Sequence, residues 1–111
     1  MHRTLVLSLQ ELWHDHVAVA ERVNHACRGT GRAFQVRGIA QFKDRVFVYL
    51  LPVADEAAEA YVLAPWEDES VAGVSTCLSE RWAAGFDLVG AIRLDEGRYL
   101  LLLVQGKPPR A

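Results

Sequence analysis

The sequence predicts an α+β domain in which two βαββ units form a mainly antiparallel six-stranded sheet with two helices on one face. Three observations carry this expectation. Short segments alternate apolar and polar residues or run apolar throughout, two longer stretches place apolar residues at helical spacing, and glycine or proline stands at most of the junctions. At 111 residues, with 51% hydrophobic and 23% charged, the chain has the length and composition of one ordinary domain with its own core.

The first strand is read over residues 4–9, β-rich and apolar, closed by the polar pair Gln10-Glu11. Asp15 then caps a helix whose stripe is Val17, Ala20, Val23 and Cys27, and Gly29 and Gly31 stop it. Phe34, Val36 and Ala40 alternate with Gln35, Arg37 and Gln41 in a half-exposed strand, with a bulge expected at Gly38-Ile39. Lys43-Asp44 turns the chain into a strand at 46–51, which Pro52 ends. A short strand at 61–64 leads through Pro65-Trp66 and the acidic run Glu67-Asp68-Glu69 into a helix with the stripe Val71, Val74, Leu78 and Trp82. Gly85 ends that helix, a strand follows over 86–94, Asp95-Glu96-Gly97 reads as a three-residue hairpin loop, and the last strand runs over 98–105.

Residues 1–52 thus form the first unit, 53–59 a connection, 60–105 the second unit and 106–111 a flexible tail, all within a single domain over 1–111. An offset of 54 residues aligns Val17 with Val71, Phe34 with Leu88, Val46 with Leu100 and Val48 with Leu102, which suggests an internal repeat. The segment Trp82-Ala83-Ala84-Gly85-Phe86-Asp87-Leu88-Val89, followed by Gly97-Arg98-Tyr99-Leu100-Leu101-Leu102, resembles a family of small bacterial βαββ domains of unknown function. The resemblance covers the second half, about residues 61–105, and the first half departs from it at Arg32-Ala33-Phe34-Gln35. It implies the fold and lends no functional residue.

A formal net charge of -2 provides no global attraction to phosphate backbones or anionic lipid, so neither nucleic acid nor membrane is an expected partner. The apolar residues of 5–9 are too few for a signal peptide, and the longest apolar run, 99–104, is far short of the roughly twenty residues of a membrane span. Cys27 and Cys77 form no CxxC pair, and reduced thiols in a cytoplasmic protein are the expectation.

Candidate chemistry is sparse. His14 and His16 flank Asp15, but no third or fourth ligand is visible in the sequence, so no metal site is assigned and no cofactor is expected. Arg22, Arg28, Arg32, Arg37, Lys43 and Arg45 concentrate positive charge ahead of the acids Asp55 to Glu69, and Arg32 beside Gly29-Thr30-Gly31 is a candidate anion contact. That glycine pair follows a helix, whereas phosphate-binding glycine loops follow a strand and open a helix. The serines Ser70, Ser75 and Ser79 have no base beside them, and His2 replaces the N-terminal proline that small βα-repeat tautomerases use, so no catalytic residue is assigned.

The strands at 46–51 and 98–105 are apolar on both faces, and a strand with one wet face would alternate. The leading expectation is therefore a non-enzymatic interaction or assembly module that forms a homodimer through a sheet face. The alternatives are a small-molecule sensor domain, with His14, His16, Arg32, Arg37 and Trp66 as candidate contacts alongside Trp13 and Trp82, and a small enzyme using His14 or His16 as acid or base.

Overall fold

The computed structural model describes residues 2–28, 33–53 and 60–105. The connection at 54–59, the tail at 106–111, the glycine stop at Gly29 and Gly31, and Arg32 lie outside the described residues. The elements run β1 (Arg3–Ser8), α1 (Leu9–His14), α2 (His16–Arg28), β2 (Phe34–Phe42), β3 (Arg45–Pro52), β4 (Ala60–Trp66), α3 (Val71–Ala83), β5 (Phe86–Asp95) and β6 (Arg98–Gln105).

The helices begin where side chains can satisfy their first amides. Ser8 caps α1 in a reciprocal box, its Oγ accepting from the Glu11 N–H at 3.1 Å while its own N–H donates to Glu11 Oε2 at 3.0 Å. Asp15 closes α1 by donating its N–H to the Glu11 carbonyl, and it caps α2 by accepting the Ala18 N–H at 3.1 Å. Ser70 caps α3 by accepting from the Gly73 N–H at 3.0 Å. Gly85, with φ 90°, ends α3, and Gly97, with φ 78°, supplies the left-handed residue of the β5–β6 turn.

Two differences from the expected architecture stand out. Among the described residues there are three helices, the extra one being α1, which occupies the Gln10-Glu11 stretch expected to close the first strand. There is also no single six-stranded sheet: the strands form two three-stranded antiparallel sheets, β1-β3-β2 and β4-β6-β5, each with the last strand of its unit in the centre. The edges β2 and β5 approach each other without a main-chain ladder. The Gln41 amide instead bridges them, its Oε1 accepting from the Arg93 N–H at 3.0 Å and its Nε2 donating to the Arg93 carbonyl at 2.6 Å. The approach is close at Gly90, where any Cβ would lie 2.6 Å from Ile39 Cδ1.

The register slips between Val36 and Gly38 in β2, one residue ahead of the Gly38-Ile39 bulge expected, and also between Leu88 and Gly90 in β5. The hairpin loop is one residue shorter than expected, since Asp95 pairs with Arg98 across Glu96-Gly97. Strand β4 extends through Pro65 to Trp66, which costs no ladder bond because β4 lies at the edge of its sheet.

Nor do the helices share one face. The main core joins Val19, Ala20, Val23 and Cys27 of α2 to Val46, Val48 and Leu50 of β3 and to Leu100 and Leu102 of β6. Helix α2 therefore packs against residues of both sheets. Helix α3 lies on the opposite face of the second sheet, where Cys77 meets Leu101 and Leu103. Strand β6 is consequently buried on both faces, with Leu100 to Leu103 all inaccessible. No helix of the described residues is long and apolar enough to cross a membrane.

Candidate functional site: a cleft between the first helices and the second sheet

A cleft of about 220 Å³ opens where the α1–α2 junction meets the turn end of the second sheet. Leu12, Leu94 and Leu100 line it together with the rings of Trp13 and Trp66. Its polar groups come from three places: His16 at the start of α2, Glu67 just after β4, and Arg98 with Tyr99 at the start of β6. The antiparallel register sets Trp66 directly opposite Tyr99, which is how two aromatic residues far apart in sequence come to share one wall.

The loop before α3 holds that wall from behind. Trp66 Nε1–H donates to the Asp68 carbonyl, and the Tyr99 hydroxyl donates to Glu69 Oε2 at 2.9 Å. The hydrogen bond to Glu69 favours the protonated phenol and raises the Tyr99 pKa, with desolvation adding to it. Asp68 turns the loop by accepting the Ser70 N–H at 2.9 Å, and hydrogen bonding to Ser70 holds its pKa below the ordinary range.

On the opposite wall, the Arg98 guanidinium carbon lies 5.1 Å from the Trp13 ring centroid, in cation–π range. Its Nε is 4.0 Å from Glu67 Oε1, with both side chains more than half exposed. An ion pair at that distance and exposure contributes little to stability.

The sequence-derived candidates divide between sites. His16 and Trp66 line the cleft. His14 is exposed at the end of α1, and Arg37 is exposed at the β2 bulge, so neither belongs to the cleft. Among the described residues no group of three or more histidine, cysteine or acidic side chains gathers as metal ligands would. Sequence reasoning did not single out Arg98 or Tyr99 as site residues. The available signal was their position just after the Gly97 turn, opposite Trp66 in the antiparallel pairing.

Helix α1 carries one wall of the cleft through Leu12 and Trp13, and its capping box makes that wall sensitive to acid. The Ser8 N–H bound to the Glu11 carboxylate lowers the Glu11 pKa below its ordinary 4.5; burial opposes this slightly, and Arg22, at 3.1 Å, adds to the lowering. A carboxyl group depressed in the folded state stabilises fully above its unfolded pKa, and that contribution is lost as pH falls through the folded value. The thermal stability of the wild type should therefore fall on acidification below pH 4.5, and Glu11→Gln should flatten that part of the profile. An unchanged profile in the variant would mean that the box does not couple to folding.

Compared with family models, curated proteins and solved structures, the chain shows no match to any of them.

Proposed function

We propose that this chain is a non-enzymatic protein-interaction module that pairs with a second copy of itself through the outer face of its first sheet. One observation carries the reading: the two sheets are alike in pattern, but among the described residues only the second has its outer face covered. On the second sheet, α3 closes over Leu101 and Leu103. On the first, Val6, Tyr49 and Phe42 stand 46%, 41% and 65% exposed, and no helix lies over them among the described residues.

The register gathers these residues into rows. Val6, Phe47 and Ala40 form one row, and Thr4, Tyr49 and Gly38 the next. Phe42 meets Phe47 edge to face at 5.8 Å between centroids. A sheet face meant for water would carry polar side chains at these positions. Neither row contains a charge; Arg45, opposite Phe42 in the next row, is half exposed at the turn end of the face, where a two-fold pairing can leave its guanidinium at the rim.

Size limits the strength of such pairing. Three strands about 4.8 Å apart and roughly six residues long span about 15 by 20 Å, which is small beside the roughly 800 Å² per partner of a standard interface. The expected dimer is weak and concentration-dependent, with a dissociation constant of micromolar order or above. Light scattering during size exclusion tests it. The mass should rise from 12.4 kDa toward twice that value with concentration, and Tyr49→Lys should hold the chain at the lower mass without loss of fold. A wild type that stays at monomer mass up to about 1 mM would overturn the proposal. The enzyme alternative gains no support from the histidines: among the described residues no hydrogen bond or ion pair ties His14 or His16 to a carboxylate.

A further inference from the structure

We infer that the cleft between α1, α2 and the second sheet binds a small monocyclic aromatic carboxylate. Volume sets the scale. An engineered enclosed cavity of about 150 Å³ holds benzene, so an open cleft of about 220 Å³ has room to seat one ring with a substituent of a few atoms. The walls set the ring: Leu12, Leu94 and Leu100 provide apolar contact, and Trp13 and Trp66 provide faces for stacking.

Charge sets the substituent. Arg98 already occupies the cation seat over Trp13 at 5.1 Å, so a cationic ligand would have to displace it, whereas an anion would recruit it. The Arg98 donors are only weakly engaged, since Glu67 lies at 4.0 Å and is 75% exposed. A carboxylate can take two parallel guanidinium hydrogen bonds in place of that loose contact, and the cation–π contact with Trp13 keeps the guanidinium at the cleft. Glu67 is the opposing charge in the same lining, and its exposure leaves it room to move away into water. His16 supplies a further ring nitrogen to the site.

The inference is independent of self-association, because the residues of the cleft and those of the outer face of the first sheet are different sets. Titration with sodium benzoate, followed by the three tryptophan indole resonances in a nitrogen-15 spectrum, tests it. Saturable shifts of Trp13 and Trp66 are expected near millimolar benzoate, with Trp82, which lies on α3 outside the cleft, unmoved. Benzylamine at the same concentrations should leave all three in place. Arg98 is exposed, so Arg98→Gln should fold, as spectral dispersion will verify, and should weaken benzoate binding at least about tenfold. Equal binding of benzylamine, unchanged benzoate affinity in Arg98→Gln, comparable movement of Trp82, or no saturable shift would each overturn the inference.

Discussion

Leu103→Ala is expected to lower the unfolding free energy by about 3–4 kcal/mol, while Tyr49→Ala, at the same position of the other unit, should cost less than about 1 kcal/mol. The two residues sit 54 positions apart on the central strands β6 and β3, each facing outward from its sheet. Leu103 is 0% exposed, packed with Cys77 of α3 and with Leu101, so truncation leaves a cavity that helix and sheet can only partly close. Tyr49 is 41% exposed and packs by its ring against His2 at 5.3 Å. Urea unfolding at low protein concentration, where self-association contributes nothing, measures both. Equal losses would mean that something within the same chain covers the first sheet, and the proposed interface would lose its basis.

Asn24→Ala is expected to cost about 2–3 kcal/mol, far more than a surface asparagine normally would. Its side chain on α2 pairs with the edge of β4 as another strand would: Nδ2 donates to the Tyr61 carbonyl at 3.0 Å, and Oδ1 accepts the Tyr61 N–H at 2.6 Å. Removing it leaves a donor and an acceptor unmet in a partly buried position, and each carries a desolvation cost. The same tyrosine reaches across to the first unit, where its hydroxyl accepts the Val36 N–H at 3.0 Å, so Tyr61 is held from both sides. Gln41 makes a comparable double bridge to Arg93, but in an exposed place where water can substitute, and Gln41→Ala should cost about 0.5–1 kcal/mol. Thermal unfolding ranks the pair, and hydrogen exchange at the Tyr61 amide should accelerate selectively in Asn24→Ala. If Asn24 and Gln41 proved equivalent, burial would not be what gives the first bridge its weight.

Much of the local structure could be read from particular residues. Asp15 marked a helix start, Gly85 and Gly97 fell where φ is positive, and Gly38 stood at the β2 bulge. Helix α1 has no periodic pattern, although Ser8-Leu9-Gln10-Glu11 spells a capping box. Six residues are too few to display helical periodicity, and the apolar residues before it continued the strand pattern. The division into two sheets had no local signature. Alternation along β2 and β5 reads the same whether their edges exchange main-chain hydrogen bonds or only a glutamine side chain.

By itself, the sequence determined six strands, two of the helices and the two strands apolar on both faces, because each depends on backbone preferences and spacings within a few residues. Only the tertiary structure decided that, among the described residues, β6 would be covered on both faces and β3 on one, and that Trp13, Trp66 and Arg98 would meet in one cleft. Those outcomes depend on where α2 and α3 dock, and docking is set by the combined burial of side chains distant in sequence, which no local pattern encodes.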